Sequence, residues 1–61
     1  MKVKKIFEKV ENNITKEISE KEYLALANPE NTEARITKFP TEEDNALYIV
    51  LTVNLDREVG K

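Results

Sequence analysis

The side chains that could perform chemistry in this chain are few, and their types exclude most kinds of active site. The 61 residues include no Cys, no His and no Trp, and Gly60 is the only glycine. A disulfide framework, a zinc site of Cys and His, and a catalytic dyad or triad that uses His or Cys are therefore excluded. A glycine-rich phosphate loop needs more than one glycine.

The remaining candidates for catalysis or metal binding are carboxylates, and the densest group is Glu42, Glu43 and Asp44. Oxygen ligands suit a divalent cation, but adjacent residues cannot all face one ion, and no EF-hand pattern surrounds them. No carboxylate has the apolar pocket or basic partner that indicates a general acid or base. We interpret this cluster as a solvated turn. The sequence thus predicts a protein that is not an enzyme, with no catalytic residue, no metal and no cofactor.

A second group of candidates is the lysines near the N-terminus, namely Lys2, Lys4, Lys5 and Lys9. They could contact phosphates, and Phe7 among them could stack on a base. However, the chain carries 12 acidic and 10 basic residues, for a net charge of −2. Lysines on an edge strand are also a common guard against aggregation. Nucleic-acid binding through these lysines is therefore the alternative function, and the acidity of the chain argues against it.

Ser19 provides the clearest local signal for secondary structure. Ser19 and Glu22 have the spacing of a capping box, in which the hydroxyl accepts from the amide three residues later. This spacing predicts a helix over residues 20–27, which ends before Pro29 because the residue preceding a proline disfavours helical geometry. The buried side of this short helix is predicted to consist of Tyr23, Leu24 and Ala27.

A second clear signal is the alternation of apolar residues over residues 46–55, which predicts a strand. One face of this strand carries Leu47, Ile49, Leu51, Val53 and Leu55. Because Tyr48 and Val50 make the other face apolar as well, the strand is expected in the middle of a sheet or at an interface.

Residues 33–39 predict another strand, which stops at Pro40 and has Ile36 on one face and Phe39 on the other. The polar residues 41–45 then form a connection of hairpin length between the two strands.

Residues 2–18 fit either a hairpin or an N-terminal helix, since their apolar side chains also lie on one helical stripe. The hairpin has a three-residue loop over residues 11–13, and two consecutive Asn residues suit such a loop better than a helix. Its cross-strand pairs are Val10 with Ile14, Glu8 with Lys16, and Ile6 with Ile18. We prefer the hairpin.

Together these elements predict a single domain over residues 1–61, of the α+β class. Its order is β-β-α-β-β, with an antiparallel sheet and one short helix. The alternative is an N-terminal helix, or two helices, followed by a β-hairpin. A core of this size supplies only about 3–5 kcal/mol, and neither disulfides nor metals are available to add to it. We therefore expect a homo-oligomer that associates through Leu47, Ile49, Leu51, Val53 and Leu55.

The predicted function is that of a small acidic interaction or regulatory module, which acts by binding a protein whose identity the sequence does not reveal. The longest apolar run, residues 46–51, is far shorter than the roughly 20 residues that span a bilayer. No secretory apolar segment follows the first lysines. The sequence therefore predicts a cytoplasmic protein that does not bind membranes.

Overall fold

The computed structural model describes residues 1–56, which form four strands and one helix, and Gly60 lies outside the described residues. In chain order the elements are β1 (Lys2–Glu11), β2 (Ile14–Ile18), α1 (Glu20–Leu26), β3 (Thr32–Lys38) and β4 (Ala46–Asn54). This arrangement confirms the predicted α+β class and the order β-β-α-β-β. The alternative with one or two leading helices is wrong, because residues 2–18 form two paired strands.

The strands form one sheet in the order β2-β1-β4-β3. The two outer pairings are antiparallel, as predicted, but the central pairing of β1 with β4 is parallel. The sheet is therefore mixed, and the expectation of an antiparallel sheet is corrected for its central pair. The cause is α1, which carries the chain from one hairpin to the other, so that β1 and β4 start at the same end of the sheet. Alternating hydrophobicity does not encode the direction of a neighbouring strand.

The loop of the first hairpin has two residues, Asn12 and Asn13, and both have positive φ, of 55° and 62°. A two-residue turn with positive φ at both positions matches the right-handed twist of the flanking strands. The pairing accordingly places Glu11 opposite Ile14 and Val10 opposite Thr15. The predicted three-residue loop, with Val10 opposite Ile14, is wrong by one residue.

This register changes the charges that face each other across the first hairpin. Glu8 lies opposite Glu17, and Lys9 lies opposite Lys16, instead of the predicted pairing of Glu8 with Lys16. Like charges directly opposite each other weaken a strand pair. Glu8 and Lys9 instead find partners on other elements: the Glu8 carboxylate accepts from the Thr52 hydroxyl at 2.9 Å, and the Lys9 ammonium reaches α1.

The helix α1 begins as predicted, because the Ser19 hydroxyl accepts a hydrogen bond from the Glu22 N–H at 3.1 Å. It ends at Leu26, one residue earlier than expected. Tyr23 is buried, as predicted, but Leu24 is 66% exposed, so its assignment to the buried side is wrong. The inward side instead runs through Tyr23, Leu26 and Ala27, which follow the helical spacing of three and four residues.

The helix lies on one face of the sheet, here called the helix-side face. Tyr23 packs against Phe7 of β1, with ring centroids 5.1 Å apart. Because neighbouring side chains alternate between faces, the helix-side face carries the odd-numbered residues of β1 and β4. The opposite face, here called the open face, carries the even-numbered residues of these two strands. Tyr23 and Val53 are buried between α1 and the end of the central strands that it covers, while Ala46, at the start of β4, is buried on the open face.

Candidate interaction surface

The helix covers only part of the helix-side face. Seven residues of helix extend for about 10 Å, whereas the ten residues of β1 extend for about 33 Å. The chain enters α1 after Ile18, which pairs with Phe7, and leaves it before Thr32, which pairs with Val53. The helix thus lies over the end of the sheet that contains Phe7 and Val53.

The other end of this face, here called the helix-free half, carries one lysine and four apolar residues, namely Lys5, Val3, Ile36, Leu47 and Ile49. Val3 pairs with Leu47 and Ile36 pairs with Ile49, so three strands bring these side chains onto one surface. Val3 is 50% exposed and Ile36 is 47% exposed, whereas Val53 under the helix is 0% exposed. The same face is therefore a closed core at one end and an accessible apolar surface at the other.

Strand lengths contribute to this uneven cover. β2 has only five residues and pairs with residues 7–11 of β1, so the first part of β1 has no neighbour on that side among residues 1–56. Lys5, which pairs with Ile49, is an exposed cation inside the helix-free half. A partner for this half must therefore offer apolar side chains together with a negatively charged group that can pair with Lys5.

The structure divides the five residues predicted for self-association. Leu47 and Ile49 lie in the helix-free half, while Leu51 and Val53 lie on the same face near the helix. Val53 is fully buried within the chain and is not accessible to a partner. Leu55 follows the end of β4, where its N–H donates to the Val10 carbonyl at 2.8 Å. Val3 and Ile36 were missed, because only the pairing of β1 and β3 with β4 brings them to this surface.

The N-terminal lysines are divided between the two faces. Lys5 and Lys9 lie on the helix-side face, and Lys2 and Lys4 lie on the open face. The Lys9 ammonium is 3.4 Å from the Glu22 carboxylate and 3.9 Å from that of Glu11. The structure therefore does not gather the four lysines into one basic patch.

On the open face, Asp44 is the centre of a polar cluster. Its carboxylate accepts from the Tyr48 hydroxyl at 2.8 Å and from the Lys38 ammonium at 3.1 Å. These hydrogen bonds, first from Tyr48 and then from Lys38, hold the pKa of Asp44 below its usual value. The Lys38 and Lys4 ammonium groups also lie 5.3 Å and 5.7 Å from the centroid of the Tyr48 ring, within cation–π range.

This cluster secures the loop between β3 and β4. The Asp44 N–H donates to the Thr41 hydroxyl at 2.9 Å, and the Thr41 N–H donates to the Asp44 carbonyl at 2.9 Å. Glu42 and Glu43 are exposed. Among residues 1–56, no group of three or more metal-ligating side chains is positioned to hold an ion. The arrangement around Asp44 is that of a hydrogen-bonded turn.

Comparison with known proteins assigns no family to the chain. No family model, no curated protein and no solved structure matches it. Within residues 1–56, none of the helical structure is long and apolar enough to cross a membrane. The helix-free half is therefore identified as the candidate surface from geometry alone.

Proposed function

We propose that this protein is a small non-enzymatic interaction module that acts by protein–protein binding and that self-associates. The observation that carries this proposal is the uneven cover of the helix-side face, where Val53 is fully buried while Val3 and Ile36 are about half exposed. Contiguous exposed apolar surface indicates a site for a partner. Covering it would also extend the small core that a chain of 61 residues can build.

The partner we propose for the helix-free half is α1 of a second copy. Leu24 is the large apolar residue of α1 that is exposed, and no element within residues 1–56 covers it. A two-fold axis across the strands would place each α1 over the helix-free half of the other copy. Lys5 in that half would then face a helix whose first turn is acidic at Glu20. Hydrophobicity and charge both favour this arrangement.

Such a contact is isologous, because both copies use the same helix and the same half-face, and it closes as a dimer. Two sheets would enclose a layer formed by the two helices. We place this module in the cytoplasm, since its fold uses no disulfide that an oxidising compartment would have to supply.

The test is the mass of the protein in solution, measured by static light scattering across a concentration series in the micromolar range. We expect the wild-type protein to associate, and we expect Val3→Lys and Leu24→Lys each to weaken this association. The matched control is Ile14→Lys, which changes an apolar residue that is 61% exposed but lies on β2, outside the helix-free half.

Circular dichroism establishes that each variant is folded. A wild-type mass of one chain at every concentration would refute self-association. Association that Val3→Lys and Leu24→Lys leave unchanged would refute the proposed surface.

Nucleic-acid binding through Lys2, Lys4, Lys5 and Lys9 is the rival proposal. The division of these lysines between two faces gives it less support than the apolar surface gives to protein binding.

A further inference from the structure

Among residues 1–56, no strand pairs with the outer edge of β3, and the positions of its outward backbone groups follow from the pairing of β3 with β4. The Asn54 N–H donates to the Asn31 carbonyl at 2.8 Å, and these two residues continue the register that pairs Thr32 with Val53. Hydrogen-bonded pairs alternate along an antiparallel ladder. Residues 33 and 35 therefore bond to β4, and residues 32, 34 and 36 direct their N–H and C=O groups outward.

The regular part of this edge has a defined centre. The register with β4 shifts between Ile36 and Lys38, so regular pairing covers residues 32–36 and has Ala34 at its middle. A two-fold pairing of two such edges that uses the whole regular segment must place Ala34 opposite Ala34 of the second copy. The outward groups at residues 32, 34 and 36 then meet one another across the new ladder.

The same register pairs opposite charges. With Ala34 at the centre, Glu33 faces Arg35 of the second copy, and by symmetry Arg35 faces Glu33. Both side chains lie on the open face, because they pair with Thr52 and Val50 of β4. These are the closer, non-hydrogen-bonded pairs of an antiparallel ladder, where side-chain charges interact most directly.

Other registers do not have this complementarity. Moving the pairing by one step of two residues opposes Glu33 to Glu33, or Arg35 to Arg35. Moving it by one residue places the outward N–H and C=O groups of one strand opposite residues of the other copy whose backbone groups already bond to β4, so the new ladder cannot form. The edge of β2 differs as well, since the register that uses both of its outward residues, 15 and 17, opposes Lys16 to Lys16.

We propose that β3 pairs antiparallel with β3 of a second copy, centred on Ala34, to form one sheet across both copies. This edge contact rests on the proposed self-association and adds a second interface to the helix contact. The two-fold axis of the edge contact is perpendicular to the sheet and passes close to Ala34. Ala34 lies in the same cross-strand row as Leu51 and Phe7. That row is also the boundary of the helix-free half. The two-fold axis of the edge contact and the two-fold axis of the helix contact therefore meet. Two perpendicular two-fold axes that meet generate a closed tetramer.

The test exchanges the charges of the edge. Glu33→Arg and Arg35→Glu each place like charges opposite each other twice in the symmetric pair, and we expect each to raise the dissociation constant of the edge contact about tenfold. The double variant Glu33→Arg/Arg35→Glu should restore it. An equimolar mixture of the two single variants should form mixed pairs in preference to either homodimer. Glu17→Arg, on the other edge of the sheet, is the matched control and should leave association unchanged.

A second measurement is independent of charge. The chain has no cysteine, so Ala34→Cys introduces a single thiol per copy. Directly opposed strand residues are within disulfide distance. We expect rapid formation of a disulfide-linked dimer under mild oxidation, and much slower linkage for Thr15→Cys on β2.

The outcomes distinguish the two interfaces. If the protein associates, but the charge exchanges have no effect and Ala34→Cys links no faster than Thr15→Cys, the edge contact is wrong and the helix contact remains. If the charge exchanges act as expected but Leu24→Lys does not alter the mass, the edge contact stands without the helix contact. A mass of one chain throughout overturns both.

Discussion

Asp44 shows how a single side chain orders a loop and acquires a pH dependence. Its pKa is lowered in the folded protein by the Tyr48 hydroxyl, then by Lys38. A carboxyl group whose pKa is lower in the folded state stabilises the fold above its unfolded pKa, near 4 for Asp. This stabilisation is lost as the pH falls through the folded pKa. The contribution of Asp44 is therefore present at neutral pH and disappears only in acid.

We predict that Tyr48→Phe raises the pKa of Asp44 towards its ordinary value, because the variant removes the hydrogen bond that lowers it most. The measurement is an NMR titration of the Asp44 carboxyl carbon. Tyr23→Phe is the matched control, since Tyr23 packs against Phe7 near α1 and should not affect Asp44. An unchanged titration midpoint in Tyr48→Phe would show that the hydroxyl does not act on this carboxylate.

At the level of residues, the sequence predicted what local chemistry determines. The Ser19 cap was predictable because donor and acceptor are three residues apart. The two-residue turn of the first hairpin was missed, although Asn tolerates the positive φ that such a turn requires. Asp56 supports this turn from a distant part of the chain. Its carboxylate accepts from the N–H groups of Asn12 and Asn13 at 2.7 Å and 2.8 Å. No pattern within residues 2–18 could reveal this contact.

At the level of secondary-structure elements, Asp56 connects the end of β4 to the turn between β1 and β2. We predict that Asp56→Ala lowers the free energy of unfolding by about 1–2 kcal/mol, the range expected when two exposed hydrogen bonds to a carboxylate are lost. Denaturant unfolding measures this loss. Hydrogen exchange at the Asn12 and Asn13 amides should accelerate more than at the Tyr23 amide, which α1 protects.

Asp56→Asn retains an acceptor and should fall between the wild-type protein and Asp56→Ala. If exchange at the two turn amides is the same in all three proteins, Asp56 does not hold the turn.

The existence of each element was predictable, but their arrangement was less so. Periodicity and capping placed α1, β3 and β4 within about two residues of their observed bounds. The parallel pairing of β1 with β4 depends on how α1 crosses the sheet, which no strand pattern encodes. Likewise, the apolar face of β4 was recognised, but the short length of α1 relative to β1 determines which half remains accessible.

At the level of the whole molecule, the division of charge between two faces bears on the choice between a protein and a nucleic acid as partner. Lys5 and Lys9 belong to the helix-side face, where Lys9 already pairs with Glu11 and Glu22. On the open face, Lys2 and Lys4 remain as possible phosphate contacts. The carboxylate of Glu8 lies on this face too, four residues along β1 from Lys4.

We therefore predict that the protein binds neither duplex nor single-stranded nucleic acid more tightly than about 10⁻⁴ M, the weak end of non-specific affinity. Two phosphate contacts release few counterions, so any residual binding to duplex DNA should have a log–log salt slope near −1.8, about half that expected if all four lysines acted together. Fluorescence anisotropy with short labelled DNA and RNA at two salt concentrations measures both quantities.

Changing Lys2 and Lys4 to Gln should abolish residual binding, and changing Lys5 and Lys9 to Gln is the matched control. Micromolar binding with a slope near −3.6 would mean that a nucleic acid can engage lysines on both faces, and the nucleic-acid function would then replace protein binding as the better explanation of this molecule.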